Sequence, residues 1–159
     1  AWTAGTVFIA NNTNGKISPI SQDVLYFTAQ QQSREIALTE SSDIIVRVQE
    51  KQKDRQKEDK KVARDNYDYY YDLVTVAAEI EIQNYKNTPI TLDLKRTIVG
   101  ELGNSSETWD LTKLPTNVNN LNLTNNVQWS VKVNAGEKKT INYSYKIYLQ
   151  RRQVARGKD

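Results

Sequence analysis

The sequence contains no cysteine, no histidine and no methionine. Without cysteine there is no disulfide, no thiolate nucleophile and no thiolate metal site. Without histidine there is no imidazole base and no zinc or haem ligand of the usual kind. Glycine and proline are scarce, six and three in 159 residues, which excludes collagen-like and Gly/Pro-rich low-complexity chains. No apolar run approaches the 18 or so residues that a membrane-spanning helix requires. Gly-x-Gly-x-x-Gly, P-loop and Gly-x-Ser-x-Gly patterns are absent. The phosphate-cradling loops and nucleophile elbows of common enzyme classes therefore have no counterpart here.

Charge of one sign is also in short supply. Twenty-two basic side chains face nineteen acidic ones, a net +3. The last nine residues hold Arg151, Arg152, Arg156 and Lys158 against Asp159, a surplus equal to the net charge of the whole chain. The rest is neutral and of mixed sign, so nucleic acid is not an expected partner, and neither is membrane insertion. Residues 151–159 are expected as a basic tail or linker, and residues 1–150 as one domain. The chain opens Ala1-Trp2-Thr3, with no initiator Met and no signal-like stretch, and reads as a module of a longer polypeptide.

What is present is alternation with a period of two. Thr6 to Ala10 is a short apolar run closed by Asn11 to Gly15, and Asn14-Gly15 is a strong hairpin signal. Asp23 to Thr28 has strand composition. Arg34 to Thr39 places Ile36 and Leu38 on one face, while Ala29 to Leu38 also has helical propensity without an apolar stripe. Ile90, Leu92 and Leu94 alternate after Thr88-Pro89, and Trp109 to Leu114 forms a further short strand. Thr116 to Asn126 holds six Asn in eleven residues and reads as loop. Val127, Trp129, Val131 and Val133 precede a turn at Asn134 to Glu137. Ile141, Tyr143, Tyr145, Ile147 and Leu149 follow it, which reads as a hairpin.

The segment between these runs is charged. Ile44, Val46 and Val48 alternate, and the alternation continues as Lys51, Lys53, Arg55 and Lys57 against Glu50, Gln52, Asp54, Gln56 and Glu58. Helical i,i+4 pairs here are mostly like-charged and i,i+3 pairs mostly opposite, so the charges nearly cancel and the flanking alternation favours strand. Asp65-Asn66 is a turn, and Val74, Val76, Ala78, Ile80 and Ile82 share a parity beyond it. Pairing with partner numbers summing near 132 sets Lys51 opposite Glu81 and Lys53 opposite Glu79, in a long two-stranded β-ribbon with a wet tip. The expected class is all-β, an antiparallel immunoglobulin-like β-sandwich with one protruding ribbon.

Several segments together resemble a known family. They are Ala1-Trp2-Thr3, Asp43 to Val48, Asn84-Tyr85-Lys86-Asn87-Thr88-Pro89-Ile90, Trp129 to Val133, Gly136-Glu137-Lys138-Lys139 and Tyr143-x-Tyr145. The pattern is similar to the C-terminal β-sandwich of the bacterial mucoidy-inhibitor-A-like family, a domain of unknown function, over about Trp2 to Leu149. The resemblance implies a sandwich module in a larger envelope or multidomain bacterial protein. It brings no catalytic residues with it.

Candidate chemistry is sparse. Glu79 and Glu81 are a carboxylate pair on one face, of a kind glycosidases use, but cross-strand pairing with lysine explains them. Asp65, Asn66, Asp68 and Asp72 supply oxygen ligands, yet Lys60, Lys61 and Arg64 sit beside them, and no metal or cofactor is expected. Tyr67, Tyr69, Tyr70 and Tyr71 offer rigid amphipathic contact area. Lys51, Lys53, Arg55 and Lys57 form a basic row about 6.6 Å apart per pair of residues. The expected function is a non-enzymatic structural or protein-interaction module that uses these eight residues. A carbohydrate or anionic-polymer binding module is the alternative.

Overall fold

The computed structural model describes residues 3–27, 29–30, 41–115 and 120–156. The expected strand at Arg34 to Thr39 and its helical alternative lie largely outside these residues. Nine strands and no helix occur among the described residues, and every strand pairing is antiparallel. The chain divides into two compact units, Ala1–Ser42 and Asp43–Asp159, where one domain was expected.

The first unit contains a hairpin of β1 (Gly5–Thr13) and β2 (Lys16–Leu25). Asn14 and Gly15 both have positive φ, 52° and 80°, the backbone of a type I′ turn that joins Thr13 to Lys16. Pro19 pairs Ala10 at a register shift, where a strand tolerates a residue without an N–H.

The second unit holds seven strands: β3 (Ile44–Arg64), β4 (Tyr67–Asn84), β5 (Ile90–Val99), β6 (Glu101–Ser105), β7 (Asp110–Lys113), β8 (Thr124–Val133) and β9 (Lys138–Ala155). They form one sheet of order β3-β4-β9-β6 and another of order β5-β8-β7. Alternation explains the core. Ala78, Ile80 and Ile82 of β4 and Ile141 and Tyr143 of β9 share a buried cluster with Ile98 of β5 and Val127, Trp129, Val131 and Val133 of β8. Trp129 is fully buried, with ring centroids 5.7 Å from Trp109 and 5.4 Å from Tyr143, and its Nε1–H donates to Ser105 Oγ at 3.1 Å. Burying apolar area of this kind, at roughly 25 cal/mol per Å², is what drives the two apolar faces together.

The expected hairpin of β8 and β9 does not form. The two strands lie in different sheets, and the Asn134 to Glu137 turn crosses between them. Both strands carry a full apolar face, so they meet face to face, Trp129 against Tyr143, rather than edge to edge. The same crossing occurs after β4, where Asn84 clamps it. Asn84 is fully buried. Its Nδ2 donates to Thr88 O (3.0 Å), Asn134 O (2.8 Å) and Val133 O (3.4 Å), and its Oδ1 accepts from Lys86 N–H (3.0 Å). The Asn84–Ile90 and Gly136–Lys139 segments, distant in sequence, therefore meet. The Asn-rich segment is not all loop: β8 begins at Thr124, and buried Asn125 donates to Gly100 O at 2.9 Å. Residues 116–119 lie outside the described residues.

Residues 151–155, expected in the tail, continue β9 and pair with β4 as far as Ala155 opposite Tyr67. β4 is thus flanked on both sides to its end, by β3 and β9, instead of forming half of a two-stranded ribbon.

Candidate interaction surface

β3, 21 residues long, is the edge strand of its sheet and has a strand neighbour only on the β4 side among the described residues. Its residues beyond Ile45 are exposed except Val62. The strand identity and the Asp65-Asn66 turn agree with the sequence reading, and Asp65 adopts φ 51° there. The register differs. At the base Arg47 faces Glu81, Gln49 faces Glu79 and Lys51 faces Ala77, so partner numbers sum to 128 where 132 was expected. Two irregularities, at Lys53 and across residues 57–59, raise the sum first to 129 and then to 131. The tip closes with Arg64 opposite Tyr67.

These bulges divide the basic row. Lys51 points to the face away from the core, with Ala77. Lys53 is the extra residue of the first bulge. Past it the parity inverts, and Arg55 pairs with Val74 on the core-side face. A bulge shifts one strand by one residue, which moves every later side chain to the other face. The even spacing expected of Lys51, Lys53, Arg55 and Lys57 is therefore absent. Lys51, Lys53 and Lys57 form no ion pair among the described residues, whereas Arg55 Nη1 binds Asp72 Oδ2 at 3.0 Å.

Asp72 organises the distal part of this sheet. Its side chain is fully buried. It accepts from Glu58 N–H at 2.9 Å, from Arg55 at 3.0 Å and from Arg151 Nη1 at 3.4 Å. The Glu58 amide, then the Arg55 and Arg151 guanidiniums, hold its carboxyl below the usual range against the opposing effect of burial. Glu58 sits in the second bulge with φ 52°, and its strained backbone aims that amide at the carboxylate. The Glu58 carboxylate takes Arg152 Nε at 2.8 Å and raises the guanidinium's pKa further. Arg152 lies 4.0 Å above the Tyr70 ring, with Lys61 at 5.6 Å. Lys61 binds Asp68 at 2.7 Å, and that bond raises the ammonium's pKa; Arg156 binds Asp68 at 3.2 Å. Asp68 and Asp72 are thus each engaged by cations. Among the described residues no group of three metal-binding side chains forms.

The tyrosines separate by parity, as alternation requires. Tyr70 lies in the ionic network. Tyr67, Tyr69 and Tyr71 share the opposite face, opposite Arg64, Val62 and Lys60. Tyr67 is 40% exposed and its ring lies 6.4 Å from that of Tyr69. Tyr148 joins this face as the partner of Leu73, with Lys60 5.3 Å from its ring. Its hydroxyl donates to Asp59 Oδ2 at 3.0 Å, a bond that raises the phenol's pKa.

Glu81 is neutralised by Lys138 (2.6 Å) and Arg47 (3.7 Å), not by Lys51, and Glu79 pairs no lysine among the described residues. Glu50, read as one of a solvated acidic row, reaches the core rim instead. It accepts from Arg96 Nη2 at 3.1 Å, Tyr145 OH at 3.2 Å and Tyr143 OH at 3.3 Å, which ties the two sheets together. Sequence reasoning missed Glu58, Asp72, Arg151, Arg152 and Tyr148 as a set. One signal was available: Asp72 shares the parity of Val74, Val76 and Ala78, so a charge falls on an apolar face. Comparisons with protein-family models, with curated proteins and with solved structures found no match.

Proposed function

We propose that this chain is a non-enzymatic interaction module of a larger bacterial protein, built on a β-sandwich and binding a protein partner through the free edge of β3. The four-strand and three-strand sheets with one shared cluster support the sandwich, with the sheet sizes of an immunoglobulin constant-type domain. The order in which the chain visits them is its own, since the last strand, β9, lies beside β4. Resemblance to the mucoidy-inhibitor-A-like C-terminal module fits this reading. The observation that carries it is the 21-residue edge with no second neighbour among the described residues. A free edge offers a row of unpaired N–H and C=O groups to an incoming strand. The unpaired Lys51, Lys53 and Lys57 select an acidic one and repel basic strands.

The test is an amide-resolved NMR titration of the whole chain with an extended peptide alternating Glu and Val, and with its Lys/Val counterpart. Saturable shifts confined to residues 44–64, with the acidic peptide only, are expected. No saturable shift, or an equal response to both peptides, overturns edge recognition. The shared face of Tyr67, Tyr69 and Tyr71 supports the alternative, carbohydrate stacking. Saturable shifts at Tyr67 to Tyr71 on adding polysaccharides would favour it.

A further inference from the structure

β6 follows β9 only from Tyr143 to Lys146, opposite Ser105 to Glu101. Beyond Lys146 no strand among the described residues pairs with β9 on that side. Asn122 substitutes for one: its Nδ2 donates to Tyr148 O at 2.9 Å and its Oδ1 accepts from Tyr148 N–H at 2.8 Å. Gly100, at φ 134°, carries the chain between sheets here, and its N–H donates to Leu123 O at 2.7 Å. The gap there is a cleft of about 420 Å³, within the size range of small-molecule sites.

Its apolar walls are leucines, with Tyr148 beside them. Leu73, Leu102, Leu111, Leu121 and Leu123 line it. Leu111 and Leu123 stay 44% and 49% exposed, apolar surface that an occupant would remove from water. Five leucines outnumber the one aromatic lining residue, Tyr148, so the walls suit an aliphatic chain. The wall asparagines are committed to backbone, Asn122 to Tyr148 and Asn125 to Gly100. Lys113 and Lys146 also line it and form no ion pair among the described residues. Glu101, opposite Lys146, is the single carboxylate there.

We propose that this cleft binds a linear aliphatic carboxylate, its chain against the leucines and its head between Lys113 and Lys146. Apolar area supplies most of the attraction, and the two ammonium groups select the sign of the head.

The experiment titrates the isotope-labelled full chain with sodium decanoate below its micellar concentration, following leucine methyl signals. Decyltrimethylammonium is the comparison probe. Saturable shifts at Leu73, Leu111 and Leu123 with decanoate, and none with the cation, are expected. A Lys113→Gln/Lys146→Gln double variant should weaken decanoate binding about 3- to 10-fold. Leu111→Gln, at a half-exposed position that leaves the core intact, should abolish saturation. Equal binding of both amphiphiles, shifts elsewhere, or affinity unchanged in the double variant overturns the proposal.

Discussion

Replacing Asn84 with alanine isolates one buried clamp. The side chain has two donor hydrogens and one used acceptor, which meet Asn134 O, Thr88 O and Lys86 N–H at 2.8–3.0 Å. Counting three net hydrogen bonds at about 1 kcal/mol each, and adding the cost of stranding buried partners, gives a loss of about 3–4 kcal/mol. For a unit of this size that lowers Tm by about 10–15 °C. Asn84→Asp is the sharper variant. It keeps the shape and the Lys86 acceptor but turns a carboxylate toward carbonyl oxygens. Burial against carbonyl oxygens, with only the Lys86 N–H as donor, raises that carboxyl's folded pKa above its unfolded value. The deficit is therefore full above the folded pKa and shrinks as pH falls through it. Urea unfolding followed by tryptophan fluorescence, from pH 4 to 8, measures both variants. A loss below about 0.5 kcal/mol for Asn84→Ala refutes the clamp. So does an Asn84→Asp deficit that is flat with pH.

Three further outcomes are expected. Gly100→Ala places a Cβ against the Lys146 carbonyl at φ 134°, and should cost about 2–4 kcal/mol in the same assay; a neutral result would show that the crossing can relax. The depressed Asp72 carboxyl contributes stability that is present above its unfolded pKa and is lost as pH falls through the lower folded value, below about pH 4. Asp72→Asn should flatten that acid limb, and an unchanged slope would detach Asp72 from it. Burial, then Glu50, pushes the Tyr143 phenol up to about 12 against the opposing Arg96 charge, so its contribution holds below pH 10 and is lost as pH rises toward 12. Ultraviolet titration should show one late-ionising tyrosine that Tyr143→Phe removes; if it persists, the assignment is wrong.

Local signals were legible wherever one residue type decides one geometry. Asn14-Gly15 and Asp65-Asn66 form their turns because Asn, Asp and Gly tolerate positive φ. Val74 to Ile82 mark a core face because alternate residues share a side. Tyr70 parts from Tyr69 and Tyr71 for the same reason. The site was less legible. A register sum of 132 and one of 128 preserve the same faces, so hydrophobic parity alone could not separate them. The bulges at Lys53 and 57–59 follow from no residue type. They reflect the need to bring Glu58 N–H and Arg55 onto buried Asp72, a long-range condition.

Composition and alternation by themselves determined an all-β chain without thiol or imidazole chemistry, the parity of its strands and the position of its tight turns. These depend on backbone conformation and side-chain type within a few residues. Tertiary structure decided that β8 and β9 part into two sheets, because either edge or face pairing satisfies the same pattern. It also decided that residues 151–155 complete a sheet, that the basic row splits between faces, and that β6 leaves β9 at Lys146 beside a leucine-rich cleft. Each of these depends on which surfaces compete for burial across the whole unit.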